Sequence, residues 1–91
     1  MNYTHLNNVY YRLATFYQKT AQKDSVLHYA KLSLLYGQKS ASPKAVLKSS
    51  QFLTQLYEGK NDTEALRYYK IAVAAKDSLY SQLSTGHSSQ E

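Results

Sequence analysis

Histidine is the side chain best suited to ligating a metal or moving a proton near neutral pH, and this chain has three, His5, His28 and His87. A helical zinc site needs His or a carboxylate at i and i+4 on one face. Leu32 follows His28 at that step, and Asp24, which precedes it at that step, is expected to cap a helix instead. His28 therefore reads as a solvated side chain. The many serines fall in loops, in the C-terminal tail or at small-residue packing positions, without a Gly-x-Ser-x-Gly elbow or a positioned His and acid. Gly37, Gly59 and Gly86 stand alone, so no glycine-rich phosphate loop exists, and with no cysteine there is no disulfide framework or thiolate metal site. No catalytic, metal-binding or cofactor-binding residue is expected, and the chain is not expected to be an enzyme.

Binding chemistry is better represented. Tyrosine packs well in cores and also anchors binding surfaces, and the chain has 10 of them. Tyr10, Tyr17, Tyr29, Tyr57, Tyr68 and Tyr69 recur at helical spacing and are expected to pack between helices. Tyr11 lies off that spacing, beside Arg12. The net charge of +5 is compatible with acidic partners, yet the lysines are dispersed along the chain rather than gathered on one face.

Such side chains need elements to position them, and the elements are helical. One domain is expected from 91 residues, and low Gly and Pro with abundant Ala, Leu, Lys, Gln and Tyr favours helices. Leu6, Tyr10, Leu13 and Tyr17 form one stripe, which predicts a first helix over about residues 5–20. The same stripe returns 40 residues later as Val46, Ser50, Leu53 and Tyr57. Lys23, Asp24 and Ser25 supply a polar cap for a second helix over 24–39, and Pro43 is placed in the first turn of a third that ends near Gly59. Asn61, with Glu64 three residues on, reads as a capping box for a fourth helix that runs to about Tyr80. The polar, serine-rich residues 84–91 are expected to be a disordered tail, which leaves 1–83 as the folded domain.

The phrase "DSVLHYAKLSL" from Asp24 returns 39 residues later as "TEALRYYKIAV" from Thr63. A unit repeated at such spacing signals stacked supersecondary units. Tyr10, Leu13, Ala14 and Tyr17, followed by Val26, Ala30 and Ser33, resemble the large, small and aromatic pattern of the tetratricopeptide repeats. Ser50, Leu53, Thr54 and Tyr57, followed by Ala65, Tyr69 and Ala72, carry the pattern a second time. The small residues 14, 30, 33, 65 and 72 fit close helix approach. The resemblance implies an all-α fold of two helix-turn-helix repeats, about 6–40 and 43–80, whose four antiparallel helices form a short right-handed solenoid. It is nearest to the long-period type found in bacterial signalling regulators.

By the same resemblance, the first-helix faces line a concave groove. That set is Asn8, Tyr11, Arg12 and Thr15 with Lys48, Gln51, Phe52 and Gln55, suited to an extended or helical peptide bearing acidic or amide groups. The expected function is thus a non-catalytic protein-interaction scaffold or sensory module. The alternative is a nucleic-acid-binding basic helical repeat, with Arg12 and Lys48 on phosphates and Tyr11 stacked on a base. Its weakness is the scatter of the lysines.

Two repeats leave an apolar face uncovered. Leu66, Ile71, Val73, Leu79 and Tyr80 of the fourth helix are therefore expected to mediate self-association, as a homodimer built on that helix. No run approaches the roughly 18 apolar residues of a membrane span. The opening "MNYTHLNN" lacks a secretory signal's basic start, which favours a soluble chain in the cytoplasm over a secreted one.

Overall fold

The computed structural model describes residues 3–88, with side chains as far as residue 81. Four helices account for it: α1 (Tyr3–Lys19), α2 (Lys23–Lys39), α3 (Pro43–Tyr57) and α4 (Asp62–Ser88). No strand occurs among the described residues.

The helix boundaries follow from capping chemistry. Ser42 takes an extended conformation before α3, its hydroxyl accepts from the Ala45 amide at 3.3 Å, and Pro43 enters the first turn, where its missing N–H costs nothing. Asn61 Oδ1 accepts from the Glu64 amide at 3.2 Å to open α4. The Glu64 carboxylate does not return to complete a capping box but lies 3.5 Å from the Arg67 guanidinium. The α2 start departs from expectation. Gln22 is its N-cap and makes no side-chain cap bond, while Asp24 lies inside the first turn. There its charge complements the positive helix end without capping it. The C-terminal end departs as well, because α4 continues to Ser88 through residues 84–88, expected in a disordered tail. Once a helix is nucleated, each added residue gains a hydrogen bond for little further ordering. The rest of that tail, 89–91, lies outside the described residues, as does the His87 side chain.

The chain packs as two hairpins, α1 on α2 and α3 on α4, joined by α3 lying against α2 with a lesser contact to α1. Ala14, Ala30 and Leu53 have no exposed surface, and Val26, Leu34, Phe52 and Tyr68 complete the core cluster. Ser33, Ala65 and Ala72 are buried too, so all five small residues of the repeated pattern sit at helix contacts. Leu13 and Leu53 share a place in the repeat but not an environment. Leu53 is fully buried between the two hairpins, whereas Leu13 is half-buried.

Tyrosine rings line the seam of the first hairpin. Tyr3 stacks on Tyr36, Tyr36 on Tyr10, Tyr10 on Tyr29 and Tyr29 on Tyr17, with centroids 5.9, 5.6, 5.9 and 5.4 Å apart. In the second hairpin Tyr57 stacks on Tyr68 at 5.7 Å. Tyr10, Tyr17, Tyr29, Tyr57 and Tyr68 are packing tyrosines as helical spacing leads one to expect, Tyr3 and Tyr36 join them, and one expected member does not. Tyr69 is 56% exposed; it sits one helical step from Tyr68, and one step turns a side chain about 100° from the core.

Candidate partner-binding surface

Two helices carry the expected groove residues, and their facing sides bring five of the eight together. Tyr11, Lys48, Gln51, Phe52 and Gln55 line one open cavity of about 270 Å³ with Lys44 and Leu47. The Tyr11 ring meets Phe52 edge to face at 5.4 Å. Lys48 reaches across from α3, its ammonium 4.6 Å from the Tyr11 ring centroid and 2.8 Å from Asn8 Oδ1, to which it donates. One cation thus binds a π-face and an amide oxygen together, which fixes a long and otherwise mobile side chain. Asn8 is joined to the site through Lys48.

Two expected residues stand apart. The Thr15 hydroxyl donates to the Arg12 carbonyl of its own helix at 2.8 Å, and neither side chain lines the cavity. Arg12 acts at longer range: burial, then the charges of Lys44 and Arg12, depress the Lys48 pKa below its usual value. Phe52 also changes its part. At 7% exposure it belongs to the core, and it supports the Tyr11 ring from below instead of meeting a partner directly. Lys44 and Leu47 escaped the sequence reading, though Lys44 is one turn before Lys48 on the same face. The lining contains no acidic residue, so the cations repel one another and an incoming anion relieves that repulsion.

Beneath this surface lies a polar cluster that helical periodicity did not reveal. Asn7 is fully buried. Its Nδ2 donates to the Ser33 carbonyl at 2.6 Å and to Ser49 Oγ at 3.0 Å, and the Ser33 and Ser49 hydroxyls lie 2.7 Å apart. Ser33 in turn donates to the Asn7 carbonyl at 3.1 Å. Three helices are pinned at one point, which fixes α3 against α1 and so sets the distance across the groove. Asn7 Oδ1 is the one buried side-chain acceptor without a partner among the described residues.

The expected self-association set divides in two. Leu66, Val73 and Tyr80 are 52%, 40% and 58% exposed. Ile71 packs against the core and Leu79 is half-buried, so these two present less surface than the other three. Exposed Tyr69 takes their place beside Leu66 and Val73.

Among the described residues no three His, Asp or Glu side chains converge on a possible metal position, and no helix is long and apolar enough to cross a membrane. No family model, curated protein or solved structure matches this chain.

Proposed function

We propose that the chain is a non-catalytic interaction scaffold that binds an acidic segment of a protein or peptide across α1 and α3. The observation that carries this reading is the Lys48 ammonium, seated on Tyr11 and Asn8 and crowded by Lys44 and Arg12, with no carboxylate in the lining. The Gln51 and Gln55 amides add donors and acceptors for a peptide backbone. In keeping with the tetratricopeptide resemblance, the working context is a repeat segment of a bacterial signalling regulator in the cytoplasm. The exposed apolar side chains of α4 serve self-association in the same assembly.

Fluorescence anisotropy with labelled acid-rich peptides tests the site. Binding should weaken as salt rises and vanish in Lys48→Glu, while Lys19→Glu, on the far end of α1, binds like the parent. Tighter binding of single-stranded RNA than of any acidic peptide would replace this reading with nucleic-acid binding.

A further inference from the structure

The seat that α3 occupies on the first hairpin is built a second time on the second hairpin, where it stands open. Within the chain, Ser49 of α3 bonds to Asn7 and Ser33. Phe52 meets Tyr11, and the Ala45 backbone comes within 3.4 Å of where a Cβ on Gly37 would be. The four receiving residues are thus Asn7 and Tyr11 of α1 with Ser33 and Gly37 of α2. Advancing the α1 pair by 40 residues and the α2 pair by 39 gives Leu47, Gln51, Ala72 and Lys76. All four line a single open cavity of about 310 Å³ between α3 and α4.

The matching ridge is present at the other end of the molecule. Stepping back 40 residues from Ser49, Phe52 and Leu56 gives Val9, Arg12 and Phe16 of α1. Val9 and Phe16 are exposed, at 36% and 57%. Their spacing of three and four residues puts them with Arg12 on one face of α1.

We infer that a second copy of this chain docks its α1 into the α3–α4 groove of the first, so that copies stack head to tail. This rests on the self-association proposed above and names its two surfaces. The chemistry of the contact agrees. The buried internal junction, Asn7, Ser33 and Ser49, is polar throughout, and its counterpart across copies, Leu47, Ala72 and Val9, is apolar throughout. Neither half of one junction satisfies the other, since Val9 in the place of Ser49 would leave Asn7 and Ser33 short of a partner, whereas a serine in the place of Val9 would face no acceptor. Arg12 replaces Phe52 and arrives beside Gln51 and Glu58, which also lines the groove and supplies a carboxylate. Lys76 replaces Gly37 and holds that end of the contact wider, leaving Val9 and Phe16 to make the close approach. Stacked in this way, α1 of each copy continues the row of first helices, and the partner-binding groove runs on from one copy to the next. An unlike pair of surfaces lengthens into chains or closes into a ring, unlike a two-fold contact, which stops at two.

Complementation in the analytical ultracentrifuge tests the arrangement. Val9→Asp removes the ridge and Val73→Asp blocks the groove; both sites are exposed, and unchanged helical circular dichroism confirms folding. The parent should grow beyond a dimer with concentration, each variant alone should sediment as a monomer, and an equimolar mixture of the two should recover a dimer and nothing larger. If Val9→Asp assembles like the parent while Val73→Asp does not, the contact is two-fold through α4; self-association stands and the head-to-tail arrangement falls. A parent that stays monomeric overturns both.

Discussion

Asn7 and Ser49 lie 42 residues apart in sequence and 3.0 Å apart at their side-chain nitrogen and oxygen, inside a contact from which water is excluded. That bond, with Ser33 completing it, joins α3 to the first hairpin beside the apolar packing of Phe52 and Leu53. Replacing Asn7 by Ala removes the donor and opens a small void, and should cost about 2–3 kcal/mol. Ser49→Ala leaves Asn7 its Ser33 partners and should cost about 1 kcal/mol. Urea unfolding of the two variants checks the order; equal and negligible losses would show that the cluster contributes nothing to the joint.

The two repeats differ in what they bury at equivalent positions. Leu53→Ala should destabilise by about 2–5 kcal/mol, as for a fully enclosed side chain. Leu13→Ala, half-buried, should lose clearly less. Comparable losses at the two positions would mean that α1 is covered as fully as α3.

Two helix junctions place alanine in the left-handed region, Ala21 at φ 61° and Ala41 at φ 55°. The third junction uses Gly59 at φ 76°, where no side chain is strained. Ala21→Gly and Ala41→Gly should each stabilise by about 0.5–1 kcal/mol, relief of strain outweighing the added freedom of the unfolded chain. Gly59→Ala should destabilise by a similar amount. Melting temperatures that move the opposite way would contradict these backbone angles.

Stability should fall in strong alkali. Burial raises the Tyr68 pKa above its usual 10.0, and Lys31 is raised above 10.5 chiefly by its hydrogen bond to Tyr57. Both groups hold their protons more tightly when folded, so their contribution is complete below the unfolded values and is lost as pH rises through the folded ones. Lys48 is lowered and acts in the opposite sense, its penalty easing as pH rises through its folded value. Tyr68→Phe removes one titrating group and should flatten the decline above about pH 10, seen by denaturation across a pH series. An unchanged slope would show that the Tyr68 hydroxyl is not desolvated.

The groove was half legible from the chain alone. Lys48, Gln51 and Gln55 could be grouped because residues three and four apart share a helix face, whichever way that helix packs, and only the tetratricopeptide resemblance joined Tyr11 of the other helix to them. Phe52 could not be separated from them, since a residue on the border between two faces is assigned to core or surface only by the neighbour that covers it. The Lys48 bridge to Tyr11 and Asn8 depends on the distance between two helices, which no spacing within either helix encodes.

What the amino-acid order determined is local and periodic: four helices, their breaks at Pro43, Gly59 and Asn61, the doubled stripe and the doubled phrase. Capping bonds and a 3.6-residue period act over a few residues, so they can be read without knowing the fold. What only the tertiary structure decided is which faces meet. Asn7 looks like any surface asparagine until α2 and α3 enclose it, and Tyr69 looks like its buried neighbour Tyr68 until the orientation of α4 is known. Burial and hydrogen-bond partnership between residues some 40 positions apart are properties of the helix pairing, and the pairing exists only once the chain has folded.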